Sequence, residues 1–129
     1  MPDLDPAVVI CASEALADGG KGIRFPVVTR QGPATGFAVR FEGRVHAYLN
    51  RCAHVATELD WQPGEFFDHA GLYLVCATHG ALYEPESGRC LGGPCQGRAL
   101  LALDVLERDS VVYWLPDSLI FQAATATPD

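Results

Sequence analysis

Short apolar runs follow one another along this chain, separated by glycine, proline and acidic turns. "IRFPVVT" (23–29), "GFAVRF" (36–41) and "RVHAYL" (44–49) are rich in β-branched and aromatic residues and have strand length. The last two are separated only by Glu42-Gly43, a hairpin signal. "LYLVC" (72–76), "ALLALDVL" (99–106) and "VVYWL" (111–115) read the same way, the last pair joined through "ERDS". Only "ASEALADGG" (12–20) has helical composition, with its glycines as a stop. The pattern predicts an all-β fold, an antiparallel sandwich or barrel. The tail "PDSLIFQAATATPD" is expected to run along the surface with Leu119, Ile120 and Phe121 tucked against the body.

Length narrows this to one domain over residues 1–129, large enough to bury a core. The acidic start carries no early basic cluster and only a short apolar run, so a secretory leader is not expected. No stretch nears the roughly 20 apolar residues of a membrane-spanning helix. The expectation is a soluble, cytoplasmic protein. A formal charge of −7 argues against nucleic acid and anionic membranes as partners. From Cys52 to Gly88 the chain holds Glu58, Asp60, Glu65, Asp68, Glu84 and Glu86 and no lysine or arginine. That segment is either a solvated face or a docking surface for a basic partner.

The same segment carries the candidate chemistry. Two of the four histidines stand beside two of the five cysteines, as Cys52-Ala53-His54 and Cys76-Ala77-Thr78-His79. Both pairs fall at strand ends, and a third loop, "CLGGPCQG" (90–97), is rich in glycine with one proline and has no obvious strand. Five cysteines are too few and too irregular for a disulfide scaffold, which leaves metal. Two thiolates and two imidazoles could hold one tetrahedral zinc. They could also hold a [2Fe-2S] cluster with one iron on the cysteines and the other on the histidines. Zinc sites usually pair like ligands at short spacing, whereas each loop here supplies one of each kind, so spacing favours the cluster.

Cys52-x-His54, then Cys76-x-x-His79-Gly80, "LYEPESGRC" and the proline loop "GGPC" together resemble the Rieske iron–sulfur proteins, over about residues 44–105. The resemblance implies a Rieske-type β-sandwich or barrel with a small cluster-binding subdomain of two ligand loops and a proline loop, at about residues 50–96. It implies that Cys52 and Cys76 ligate the inner iron, and His54 and His79 the outer. Gly80 would leave room beside a sulfide and Pro94 would cover the cluster, while Val55, Ala81 and Tyr83 complete the contacting set. The 21 residues between His54 and Cys76 exceed the common family spacing, the extra length falling in "DWQPGEFFDHAG". Respiratory members carry an added cysteine in each ligand loop, forming a disulfide brace. Thr57 and Thr78 stand at those positions here. Ala81 replaces a serine that donates to a sulfide, and Tyr83 keeps a tyrosine that donates to a cysteine sulfur. One donor fewer implies a potential toward the low end of the range of about −150 to +300 mV.

By the same resemblance the protein is expected to be an electron-transfer protein rather than an enzyme. It would carry single electrons from a reductase to a terminal oxidoreductase such as a ring-hydroxylating oxygenase. The small Rieske-like component of a nitrite-reductase complex, a structural zinc protein and a redox sensor are the alternatives. Among the remaining candidates, Cys11 in "VVICA" is expected to be a core thiol. Cys90 and Cys95 are expected as free thiols near the proline loop, with a disulfide as the less favoured alternative. His46 and His69 should be ordinary surface or edge residues, and Trp61, Phe66 and Phe67 packing residues.

Overall fold

The computed structural model describes residues 7–52, 57–60, 62–77, 80–92, 97–117 and 120–121. Its strands are β1 (Val8–Ala12), β2 (Ile23–Thr29), β3 (Gly32–Phe41), β4 (Arg44–Leu49), β5 (Leu74–Cys76), β6 (Ala81–Tyr83), β7 (Cys90–Gly92), β8 (Ala102–Arg108) and β9 (Val111–Leu115). Six of them form one antiparallel sheet in the order β1-β9-β8-β4-β3-β2. Its edge strands β1 and β2 approach one another, so the sheet nearly closes. The other three form a small sheet, β5-β6-β7, inserted between β4 and β8. Among the described residues no helix is long and apolar enough to cross a membrane.

Turn chemistry fixes the hairpins. Glu42 and Gly43 both take positive φ (50° and 83°), as do Asp109 and Ser110 (53° and 65°). Two consecutive left-handed residues match the right-handed twist of the strands they join. The β2–β3 hairpin closes with Thr29 opposite Gly32, and the Thr29 hydroxyl caps the turn by donating to Gly32 O and accepting from Gln31 N.

Alternation along β3 and β4 decides where the two sheets meet. Ala38, Ala47 and Leu49 point into the large sheet, against Phe25, Val27, Leu103, Val112 and Trp114. Their neighbours Phe37, Val39 and Tyr48 point the other way, into a second core with Leu59, Phe66, Leu74, Tyr83 and Leu100. These strands are therefore buried on both faces, which is why they read as nearly continuous apolar runs. Phe37 and Phe66 stack with centroids 3.9 Å apart, pinning the long loop before β5 to the large sheet. Phe66 is a packing residue, as expected.

Two expectations fail. Residues 12–20 do not form a helix: a single 3-10 turn at Ser13–Ala15 is all that appears there. Arg40 takes that segment's backbone instead, donating from Nε to Leu16 O and from an Nη to Ser13 O, while Gly19 N donates to Arg40 O. Second, the glycine-rich loop begins with a strand, β7, paired to β6. The apolar run before residue 13, for which no element was expected, pairs as β1 with β9. The tail behaves as expected where it is described: Ile120 is buried and Phe121 pairs with Val28. Leu119 lies outside the described residues.

Candidate metal centre

β4 runs out of the large sheet at Leu49 and leads directly into the first candidate loop. Asn50 anchors that exit. Its backbone N donates to Thr35 O at 2.7 Å, its Nδ2 to Asp60 Oδ1 at 2.9 Å, and its Oδ1 accepts from Leu59 N at 2.8 Å. Asp60 Oδ2 in turn accepts from Gly64 N. Both side chains are buried, and together they close residues 50–60 at the base. Within the loop, Cys52 N donates to Thr57 O at 2.7 Å, which turns the chain where the cysteine sits.

The second loop hangs from the small sheet. Cys76 ends β5, and Gly80 N donates back to Cys76 O at 2.8 Å to make the turn into β6. Gly80 has φ +72°, a region that side chains disfavour, and a Cβ there would meet no atom within 4 Å. Backbone conformation, rather than crowding by the described atoms, requires glycine here. Ala77 N donates to Leu59 O at 3.0 Å and so ties the second loop to the first.

These constraints place Cys52 and Cys76 in one apolar core, 3% and 0% exposed, beside Ala81, Tyr83 and Cys90. Neither is a disulfide cysteine. Tyr83 Oη lies 3.3 Å from Cys52 Sγ, with both residues buried. Ala81, also fully buried, carries no hydroxyl that could donate at its position. His54, Val55, His79 and Pro94 lie outside the described residues, as do Thr78 and Trp61. Among the described residues no three His, Cys, Asp or Glu side chains stand together as a metal site. The described half of the donor set still fits a cluster's inner iron. It offers two buried thiols and a phenol able to donate to one sulfur, and a coordinating metal holds such thiols as thiolates.

The cysteine near the proline loop departs from expectation. Cys90 is disulfide-bonded. It stands opposite Tyr83 in the β6–β7 ladder, where Cys90 N donates to Arg98 O and Arg89 bridges to Ala99. Those contacts bring Cys90 and Arg98 together on either side of the third loop. Cys95 lies outside the described residues. Cys11 is half-buried at the rim of the large core, and burial pushes its thiol pKa up despite nearby Arg40. His69 is exposed, as expected. His46 is not ordinary: its Nε2 is buried without a hydrogen-bond partner. Burial holds its pKa below the usual value, opposed by Glu86 and assisted by Arg44.

The acidic segment also changes character in three dimensions. Cations from earlier in the chain reach it. Arg24 forks onto Glu58 at 2.8 and 2.9 Å, and its Nε sits 3.7 Å from Asp60. Lys21 approaches Glu65 at 3.8 Å. Asp60 is a structural residue, and Asp68 caps a turn by accepting from Leu72 N and Tyr73 N. Glu86 is exposed and Glu84 half-exposed on the β6–β7 turn.

The profile of the Rieske [2Fe-2S] domain matches residues 7–118. The chain belongs to the Rieske family. The cofactor of this family is a Rieske-type [2Fe-2S] cluster. No curated protein matches the sequence significantly. Among solved structures, this Rieske protein is similar to the ferredoxin of carbazole 1,9a-dioxygenase from Nocardioides aromaticivorans IC177. The TM-score is 0.68 at 21% identity, over 88% of this chain and 100% of that one. It is similar to the Sphingomonas yanoikuyae B1 ferredoxin, with TM-score 0.66 at 19% identity, over 87% of this chain and all of the other. A third likeness is to a chain in a complex of reduced oxygenase and oxidized ferredoxin in carbazole 1,9a-dioxygenase. There the TM-score is 0.65 at 22% identity, over 84% of this chain and 92% of that one. At these identities the likeness is one of fold.

Sequence reasoning missed Asn50 and Tyr48, and gave Asp60 the wrong role. The Asn50–Asp60 and Tyr48–Pro85 contacts join residues 10 and 37 apart in the chain, too far for local pattern to mark them.

Proposed function

We propose that this Rieske protein is a one-electron carrier of the ferredoxin kind, acting in the cytoplasm between a reductase and a terminal oxidoreductase such as a ring-hydroxylating oxygenase. Cys52 and Cys76 would hold the inner iron of its cluster and His54 and His79 the outer. When bound, the cluster supplies reversible one-electron redox chemistry. The observation that carries the reading is the burial of both cysteines in one core, with Tyr83 Oη 3.3 Å from Cys52 Sγ. The thiols, once metallated, are shielded from water by Tyr83, Leu74 and Leu59, and the phenol donates to a sulfur that becomes more negative on reduction. Ala81 offers no second donor, which supports a potential low in the family range.

The oxygenase as partner is supported by the structure in which a ferredoxin of this fold sits with a reduced oxygenase. For docking, the exposed Glu86 and half-exposed Glu84 support a surface for basic partners more than Glu58 and Glu65 do, since Arg24 and Lys21 stand beside those. The deciding experiment is electron paramagnetic resonance of the dithionite-reduced protein beside its visible absorption and metal content. The expected result is a rhombic signal with an average g value below that of all-cysteine ferredoxins, lost in Cys52→Ser and in His54→Ala. A colourless protein holding one zinc would overturn the reading.

A further inference from the structure

The β6–β7 turn, residues 84–88, is tied to β4 by the side chain of Tyr48. Tyr48 leaves β4 toward the small sheet, packs beside Phe37 with centroids 5.9 Å apart, and is 2% exposed. Its Oη donates to Pro85 O at 2.7 Å. Its ring also covers the other end of the turn: a Cβ on Gly88 would come within 2.7 Å of Tyr48 Cε1. The turn is closed by Gly88 N donating to Glu84 O at 2.7 Å and Glu84 N to Arg89 O at 2.9 Å, and Leu100 N donates to Gly88 O at 2.8 Å. These bonds make it one unit, and Tyr48 is where that unit meets β4.

What flanks this contact gives it consequence. Tyr83 is the last residue of β6, immediately before the turn. Cys52 lies just beyond the end of β4, the strand that carries Tyr48. Tyr48 thus bridges the strand that delivers the cysteine and the turn that fixes the donor. A buried hydrogen bond of this kind is sensitive to tenths of an ångström, and supporting groups set its length. Burial pushes the Tyr48 phenol pKa up, with Glu84 and Glu86 adding to the effect, so the group stays protonated and able to donate.

Resting on the ferredoxin reading above, we infer that Tyr48 is a positioning residue for the cluster: by clamping the 84–88 turn to β4 it sets the Tyr83–Cys52 contact and through it the reduction potential. This role of Tyr48 needs no contact of its own with a cysteine. It acts through Tyr83.

The test is a double-mutant cycle in the holoprotein. Tyr48→Phe keeps the ring over Gly88 and removes the donor to Pro85. Its potential should fall in the same direction as that of Tyr83→Phe, and by less. In the double variant the potential should fall no further than in Tyr83→Phe alone, because Tyr48 has nothing left to position. An unchanged potential in Tyr48→Phe, or a full additional fall in the double variant, overturns the inference while leaving the carrier function standing. A wild type that loads no cluster is failure of the ferredoxin reading instead. A crystal structure of Tyr48→Phe decides the positioning claim in either case. The Tyr83 Oη to Cys52 Sγ separation should lengthen, and a separation still at 3.3 Å would sink it.

Discussion

Asn50 donates to Asp60 across the base of the loop that carries Cys52, Nδ2 to Oδ1 at 2.9 Å, with both side chains buried. Asp60 also receives Gly64 N, and Asn50 receives Leu59 N, so the pair satisfies two backbone donors as well as each other. Replacing Asp60 with alanine removes the acceptor for two buried donors. Leaving a buried donor unmet costs about 1–3 kcal/mol. Asp60→Ala should therefore lower the urea midpoint sharply and reduce the iron bound per chain, since the loop carrying Cys52 loses its closure. Glu58→Ala removes a partly exposed partner of Arg24 instead and should cost about 1 kcal/mol or less. Equal midpoints for the two variants would contradict the buried role of Asp60.

How much of this was legible in the sequence depends on how far each residue's partner lies. The strands announced themselves because alternation and turn residues are local signals. Glu42-Gly43 and the apolar runs on either side specify a hairpin without outside help. Cys52-x-His54 and Cys76-x-x-His79 stood out as candidate pairs for the same reason: each pair is closely spaced within one loop. Residues 12–20 misled because helical composition is a weak preference, and three hydrogen bonds with Arg40 override it. β1 was hidden in a five-residue apolar run that only pairing with β9 defines. The Cys90 disulfide went against the favoured reading of a free thiol, since spacing alone does not fix connectivity. Tyr48 and His46 were visible as members of an alternating strand, but what covers their face comes from some 40 residues later in the chain.

Gly88 tests the seating of the β6–β7 turn by a route independent of the cluster. Its φ of +77° already disfavours any side chain, and Tyr48 leaves no room for one. Gly43 supplies the control, with φ +83° and nothing within 4 Å of its Cβ position. Gly43→Ala should cost only the backbone strain, about 1–3 kcal/mol. Gly88→Ala adds overpacking against a buried ring, typically a further 1–3 kcal/mol. Denaturant midpoints of the two variants should differ by that second contribution. Indistinguishable midpoints would mean that the Tyr48 ring yields freely.

His46 should give the protein an acid-sensitive stability. Its folded pKa is depressed by burial, so the unfolded chain takes up the proton first as pH falls. The contribution of this group is then fully present above the unfolded value of about 6.5 and is lost as pH drops through the lower folded value. His46→Leu removes the group, and its melting temperature should depend less on pH than that of the wild type below about pH 6.5. Above that pH the variant should be as stable or more so, because the buried Nε2 that lacks a partner is gone. Parallel melting curves for the two proteins from pH 8 to 5 would rule out His46 as the source of acid sensitivity.

Charge pairing separates acids that can steer a partner from acids that cannot. Glu58 is held by Arg24 through two hydrogen bonds, so its field is largely cancelled a few ångströms away. Glu86 is exposed on the β6–β7 turn, and Glu84 stands half-exposed two residues before it. Electrostatic steering acts over about one Debye length, roughly 10 Å at 0.1 M salt, and changes association rates more than final affinity. If the proposed reductase docks on this turn, Glu84→Lys with Glu86→Lys should slow stopped-flow reduction by it several-fold at low salt, with the difference shrinking as salt rises. Glu58→Gln should leave that rate nearly unchanged at every salt concentration. If all the variants slow the reaction equally, or if salt makes no difference, the turn is a solvated face and the partner docks elsewhere.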